Sequence, residues 1–270
     1  MERLSRWGLL VAAIALGIFG VVSFVLPDMA SASFPWRVGP FLAMTVGAWA
    51  LGTAAMAADT ARTWRPAVVL PALVYLWLFG LAQLLVVIFF LDRLVVGPLA
   101  FPYLIGLGAL IVSGIAGVAW FATQRPPLRE PGERVPLLVR LSVVGFVVIV
   151  GTLAFLTARA SDGGATTSGG FFPEPMGLFS ARAFAGFFFA LSMGALVLLL
   201  VARSGAPYRF YARTGLYLIV PITLASFIYL RLFDFAGTLG HTVYLAAYVV
   251  TGIIAAGLLV LYRPARSDAA

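Results

Sequence analysis

The chain of 270 residues is 62% hydrophobic and only 10% charged, with a mean hydropathy of +1.05, a balance that excludes a soluble globular domain. Its formal net charge is +8, every one of the eighteen basic residues is arginine, cysteine is absent, and histidine occurs once, as His241. Those absences exclude disulfide and CxxC redox chemistry, thiolate metal sites, a lysine Schiff base, and a bis-histidine haem or three-histidine zinc site within one chain.

A helix needs about 20 apolar residues to cross the roughly 30 Å hydrocarbon core of a bilayer. Eight stretches meet that length: residues 7–26, 40–58, 67–91, 99–122, 137–157, 179–202, 215–233 and 243–262. They lack the alternation of barrel strands, and a helix satisfies its backbone hydrogen bonds within its own segment. The expected fold is therefore all-α, a polytopic bundle of eight transmembrane helices. Arg3 and Arg6 ahead of the first stretch, with Ala30-Ser31-Ala32 after it, resemble a secretory signal. The stretch is too long for a signal core, however, and residues 137–157 match it later in the chain, so it is expected to stay as a helix.

With loops assigned alternately to the two sides, Arg37, Arg93, Arg159, Arg182 and Arg231 fall on one side and the other thirteen arginines on the opposite side. Acidic residues divide evenly, so the arginine-rich side carries the whole net charge. By the positive-inside rule both termini are expected in the cytoplasm, in the inner membrane of a bacterium. The high isoelectric point then reports topology and contact with lipid headgroups, not nucleic acid.

The chain echoes itself. Phe34, Pro35, Gly39, Phe41 and Ala43 recur in order as Phe172, Pro173, Gly177, Phe179 and Ala181, and Tyr75, Leu76 and Asp92 recur as Tyr217, Leu218 and Asp234. The echo extends to Tyr103 and Tyr244. Two parallel four-helix repeats are expected, residues 1–122 and 136–264, with a Pro- and Gly-containing cytoplasmic linker at 123–135 and a tail at 265–270. On the outer side, residues 161–170 form a Ser/Gly/Thr-rich loop, a plain connection or a lid. Small residues at helix-packing spacing, Ala109/Ser113/Gly117, Gly47/Leu51/Ala55 and Gly252/Ala256, predict close helix contacts within the chain, with a homo-oligomer interface left open.

No carboxylate or arginine lies in the central part of a stretch. Gln83, Ser113, Thr152, Ser192, Thr223, Ser226 and Thr251 are the polar residues there, and they are expected to bond to backbone carbonyls or across helices. Ionisable residues gather at the outer helix ends instead. Arg37, Asp92, Arg182, Arg231, Asp234 and His241 are the candidate ligand-binding set, an outer pocket between the halves; the alternative is anchoring of helix ends. The Phe34-Pro35-Trp36 and Phe172-Pro173-Glu174 segments are expected to lie along the outer surface with their aromatic rings in the headgroup zone.

Phe34-Pro35-Trp36, Pro40-Phe41 and Gly47-Ala48-Trp49 together resemble a family of bacterial multi-pass membrane proteins with an FPW-type motif followed by an Ala-Arg pair and a Gly-x-Trp. In the second half the Ala-Arg pair is Ala181-Arg182, Glu174 replaces the tryptophan, and the Gly-x-Trp is missing. The resemblance implies a multi-pass membrane fold and carries over no activity and no catalytic residue.

Three functions remain open at this point. One is a small transporter or binder of an apolar or amphipathic molecule, the second is a membrane-embedded enzyme using Asp92, Asp234 and His241 at the outer surface, and the third is a structural or assembly partner. The absence of an HExxH, GxSxG or DxxD cluster favours a non-enzymatic role. Membrane lipids are the expected partners, and the residues imply neither a cofactor nor a metal.

Overall fold

A computed structural model describes residues 1–128, 132, 134–160 and 171–262, and among these all regular structure is helical. Eight long helices are α1 (Glu2–Val25), α3 (Pro40–Thr63), α4 (Pro66–Phe89), α5 (Ala100–Gln124), α6 (Leu137–Ala158), α7 (Leu178–Val201), α8 (Gly205–Ile228) and α9 (Leu239–Leu261), and each is long and apolar enough to cross a membrane. A short α2 (Pro27–Ser33) follows α1. The chain is thus a polytopic helical membrane bundle, with all eight anticipated crossings present. Residues 161–170 and the tail at 265–270 lie outside the described residues, as does part of the linker.

Local sequence sets several helix starts. Pro27, Pro40 and Pro66 stand in the first turns of α2, α3 and α4, where a missing N–H costs nothing and the fixed φ suits the helix. Helix α8 begins ten residues before the apolar stretch read from the sequence and so includes Arg209 and Arg213. The reason is tertiary: an Arg213 Nη2 to Asp59 Oδ2 pair of 2.7 Å joins α8 to α3, and Tyr217 donates to the same carboxylate oxygen at 3.4 Å. A paired charge on a flexible stem is tolerated near a membrane boundary.

Helix α3 is the most deeply buried of the eight and α9 the least. Around Trp49 of α3 pack Phe79 of α4 and Phe184 and Phe187 of α7, with the Trp49 and Phe187 rings stacked at 5.0 Å. Helix α1 lies against α3 and α5, α6 against α7, and α9 against α8; the seam between the two halves of the chain is made mainly by α3 on α8 and α4 on α7, with a smaller contact of α4 on α8. Small residues bring backbones together where anticipated. Gly8 of α1 sits on Ala109 and Ser113 of α5, and Gly20 and Gly47 let α1 and α3 touch at Leu51 and Ser23. The third stripe behaves differently, since Gly252 meets only the Ile219 side chain and Ala256 is exposed.

Of the central polar residues singled out from the sequence, all but Thr251 have a hydrogen-bond partner among the described residues. Thr152, Thr223 and Ser226 donate to carbonyls one turn back, Ser192 donates to Val147 O across to α6, and Ser113 meets the Ser5 hydroxyl and the Trp77 indole N–H. The FPW segment departs from expectation. Phe34, Trp36 and Phe172 are buried in the core, not laid in the headgroup zone. Trp36 stacks on Phe179 at 4.5 Å, because the other half of the chain provides an aromatic wall there.

Candidate functional site

At the end of the bundle opposite the chain terminus at Met1, the two loops that precede α3 and α7 reach across to each other's helix. The Trp36 indole N–H donates to Ser180 Oγ at 3.0 Å, in the first turn of α7. Glu174 Oε2 accepts the Leu42 backbone N–H at 2.9 Å, in the first turn of α3. These first-turn N–H groups have no partner inside their own helix, so a carboxylate there satisfies a donor and meets the positive end of the helix dipole. Gly39 makes room for it, since a Cβ at that position would collide with the Glu174 carboxylate.

Burial pushes the Glu174 carboxyl above its usual pKa, and the Leu42 N–H opposes that rise. A carboxyl raised in the folded state contributes stability that is fully present below its unfolded pKa and is lost as pH climbs through the raised value. Glu174→Gln keeps an oxygen acceptor for Leu42 and removes the buried charge. Its stability at neutral pH is expected to match or exceed the parent's, by under about 1 kcal/mol, with a difference that shrinks on acidification. Parallel melts across pH check this, and equal pH slopes for the two proteins would contradict it.

The six residues proposed from the sequence are placed as follows. Arg37 and Arg231 are exposed. Asp92 is exposed and lies 3.9 Å from its neighbour Arg93 in a single 3-10 turn. Arg182 is turned toward α6, donating from Nη1 to Thr157 O at 3.0 Å and from Nη2 to Ala160 O at 2.9 Å, where it caps carbonyls left open at the helix C-terminus. Asp234 accepts the Gly237 N–H at 2.8 Å. His241 Nδ1 accepts the Asp234 backbone N–H at 2.8 Å, which puts the ring proton on Nε2, 3.3 Å from the Phe172 carbonyl. Asp234 and His241 are therefore brought together through the backbone, and among the described residues no hydrogen bond or ion pair joins them to the other four. No cluster of three or more His, Asp or Glu suited to a metal ion occurs among the described residues.

A different feature is a concavity in the second half of the chain. Helices α6, α7, α8 and α9 enclose a cavity of about 330 Å³ with walls such as Phe146, Phe188, Leu191, Leu218, Ile222 and Ala255. Helices α6 and α9 do not pack on each other as α1 and α5 do. Ile149 of α6 with Val250 and Ile254 of α9 both line the cavity and are exposed, so its mouth faces the lipid between these two helices. Polar atoms are few. Tyr211 donates to Leu191 O, and the Tyr208, Tyr244 and Tyr248 hydroxyls are buried without a hydrogen-bond partner among the described residues.

Sequence reasoning missed both Glu174 as a helix cap and this cavity. The first had a signal, a lone acidic residue in the place of Trp36, but its partner lies 132 positions away. No family model, curated protein or solved structure matches this chain.

Proposed function

We propose that the protein binds an apolar or amphipathic molecule that enters from the bilayer into the cavity between α6 and α9. The observation that carries this reading is the cavity itself: at about 330 Å³ it falls within the roughly 300–1,000 Å³ of small-molecule sites, with a wall that is almost wholly apolar. Water gains little there, because too few polar partners line it.

Duplication explains why the space exists. The reciprocal contacts of Trp36 with Ser180 and of Glu174 with Leu42 join residues that exchange places when Phe34 is aligned with Phe172, and α3 on α8 mirrors α7 on α4. Aligning Tyr103 with Tyr244 pairs Gly106, Ala109, Ser113 and Gly117 of α5 with Ala247, Val250, Ile254 and Leu258 of α9. The α5 set seats α1 closely, through Leu16 on Gly106, Gly8 on Ala109 and Ser113, and Ser5 on Gly117. The α9 set is bulkier and lines the cavity throughout. One repeat is closed by small residues, and the other is held open by larger ones. On this reading both termini are cytoplasmic, and the arginine-rich end faces the inner leaflet.

Gly215 lines the cavity, and a Cβ built on it meets nothing within 4 Å, so Gly215→Phe fills the space without a clash at that atom. In detergent, the parent is expected to bind a neutral pyrene-labelled alkyl alcohol saturably, and Gly215→Phe to lose about tenfold in affinity with its melting temperature kept. Equal binding by the two would remove the proposal.

A further inference from the structure

We propose that the ligand of this cavity is an anionic lipid of the arginine-rich leaflet, its tail between α6 and α9 and its head at Arg140, Tyr208 and Tyr262. This inference rests on the binding role above and adds the chemistry of the head. The cavity runs to the arginine-rich end of the bundle, where Ser142, Leu198, Tyr208 and Leu258 form its wall. Three helices bring polar groups to that end. Tyr208, in the first turn of α8, points a buried hydroxyl with no hydrogen-bond partner from a cavity-lining position. Tyr262, just past the end of α9, lies over Gly205 at the start of α8 and has an unpartnered hydroxyl as well. Arg140, in the first turn of α6, is exposed, and its guanidinium is near enough to act electrostatically on the Tyr208 hydroxyl. Among the described residues it makes one long hydrogen bond, of 3.4 Å to Leu199 O.

Two hydroxyl donors and a guanidinium around the end of an apolar cavity match an anion that carries a hydrocarbon chain. A zwitterionic head would bring a second positive charge toward Arg140. A neutral lipid would offer the guanidinium no anionic partner. The excess of arginine at this end raises the local concentration of anionic lipid in the adjoining leaflet, each near-surface cation being worth about a fivefold enrichment. In the first repeat the corresponding space is occupied by α1 on α5, so only the second offers this path.

The full-length protein in nanodiscs, with pyrene-tailed phosphatidylglycerol and pyrene-tailed phosphatidylcholine compared at equal tail length, provides the test. The parent is expected to prefer phosphatidylglycerol by about tenfold, and Arg140→Gln, a change outside the cavity wall, to reduce that preference to about twofold while leaving binding of the neutral pyrenyl alcohol unchanged. Gly215→Phe is expected to remove binding of both lipids. An unaltered preference in the Arg140→Gln variant overturns the assignment of the head while the apolar binding role stands. Displacement by inorganic phosphate alone would assign the polar end to a soluble anion, and this too overturns it. Lipid binding unaffected by Gly215→Phe removes the cavity role and this inference together.

Discussion

Gly52→Leu is expected to abolish the folded bundle, and Gly52→Ala to cost about 1–3 kcal/mol or more, because the added carbon would press on the backbone of α8 as well as on the Leu218 side chain. A Cβ at Gly52 of α3 would stand 2.5 Å from Tyr217 O and 2.6 Å from Leu218 Cα of α8. The approach has a chemical reason. Pro221 lies inside α8 and has no N–H, so the Tyr217 carbonyl one turn earlier loses its usual helical donor. The bare Cα of Gly52 brings weakly polar C–H groups to that oxygen, a contact any side chain would block. Since α3 on α8 is one of the two main contacts between the two halves of the chain, the damage is global and not local. Melting and size-exclusion profiles in mild detergent measure it. A Leu variant that melts within a few degrees of the parent would show that the seam tolerates separation.

Gln83→Leu is expected to destabilise by about 2 kcal/mol, and the companion change Tyr103→Phe to return part of that loss. Gln83 is fully buried, donates from Nε2 to Ala183 O of α7 at 2.7 Å, and accepts the Tyr103 hydroxyl of α5 at 3.0 Å. Leucine keeps the volume but strands the Tyr103 hydroxyl, and an orphaned buried donor costs more than the bond was worth. Removing the hydroxyl as well leaves an apolar contact with nothing unsatisfied. Thermal melts of the two single variants and the double variant form the cycle, with an expected coupling of about 1 kcal/mol. Strict additivity would show that the two side chains do not act on each other.

Both variants concern interactions between distant segments, which is where legibility ended. The eight crossings could be read from composition because a bilayer imposes one length and one polarity on every span. Even the errors in them were small. The early start of α8 depended on Asp59, a residue on another helix that neutralises Arg213. The small-residue stripes of α3 and α5 were legible as packing faces, but the partners of Gly8, Gly47 and Gly52 were not. At the helix ends remote from Met1, Asp92 and Asp234 matched in sequence and yet have different local surroundings, Arg93 for one and the Gly237 N–H for the other. His241 looked available as a ligand until its two nitrogens were found beside backbone groups of residues 234 and 172.

By itself the sequence determined that this is a multi-pass helical membrane protein with eight spans, no thiol or multi-histidine metal chemistry, and polar groups confined to helix ends and a few hydroxyls and one glutamine within. Hydropathy and residue counts are sums over the chain, and those properties depend on nothing else. Only the tertiary structure decided that Glu174 caps α3, that the FPW rings turn inward, and that a cavity opens between α6 and α9 while α1 and α5 close. Each of these depends on which apolar face meets which. In lipid every such face is about equally apolar, so the choice rests on side-chain size and on a few hydrogen bonds between residues far apart in the chain.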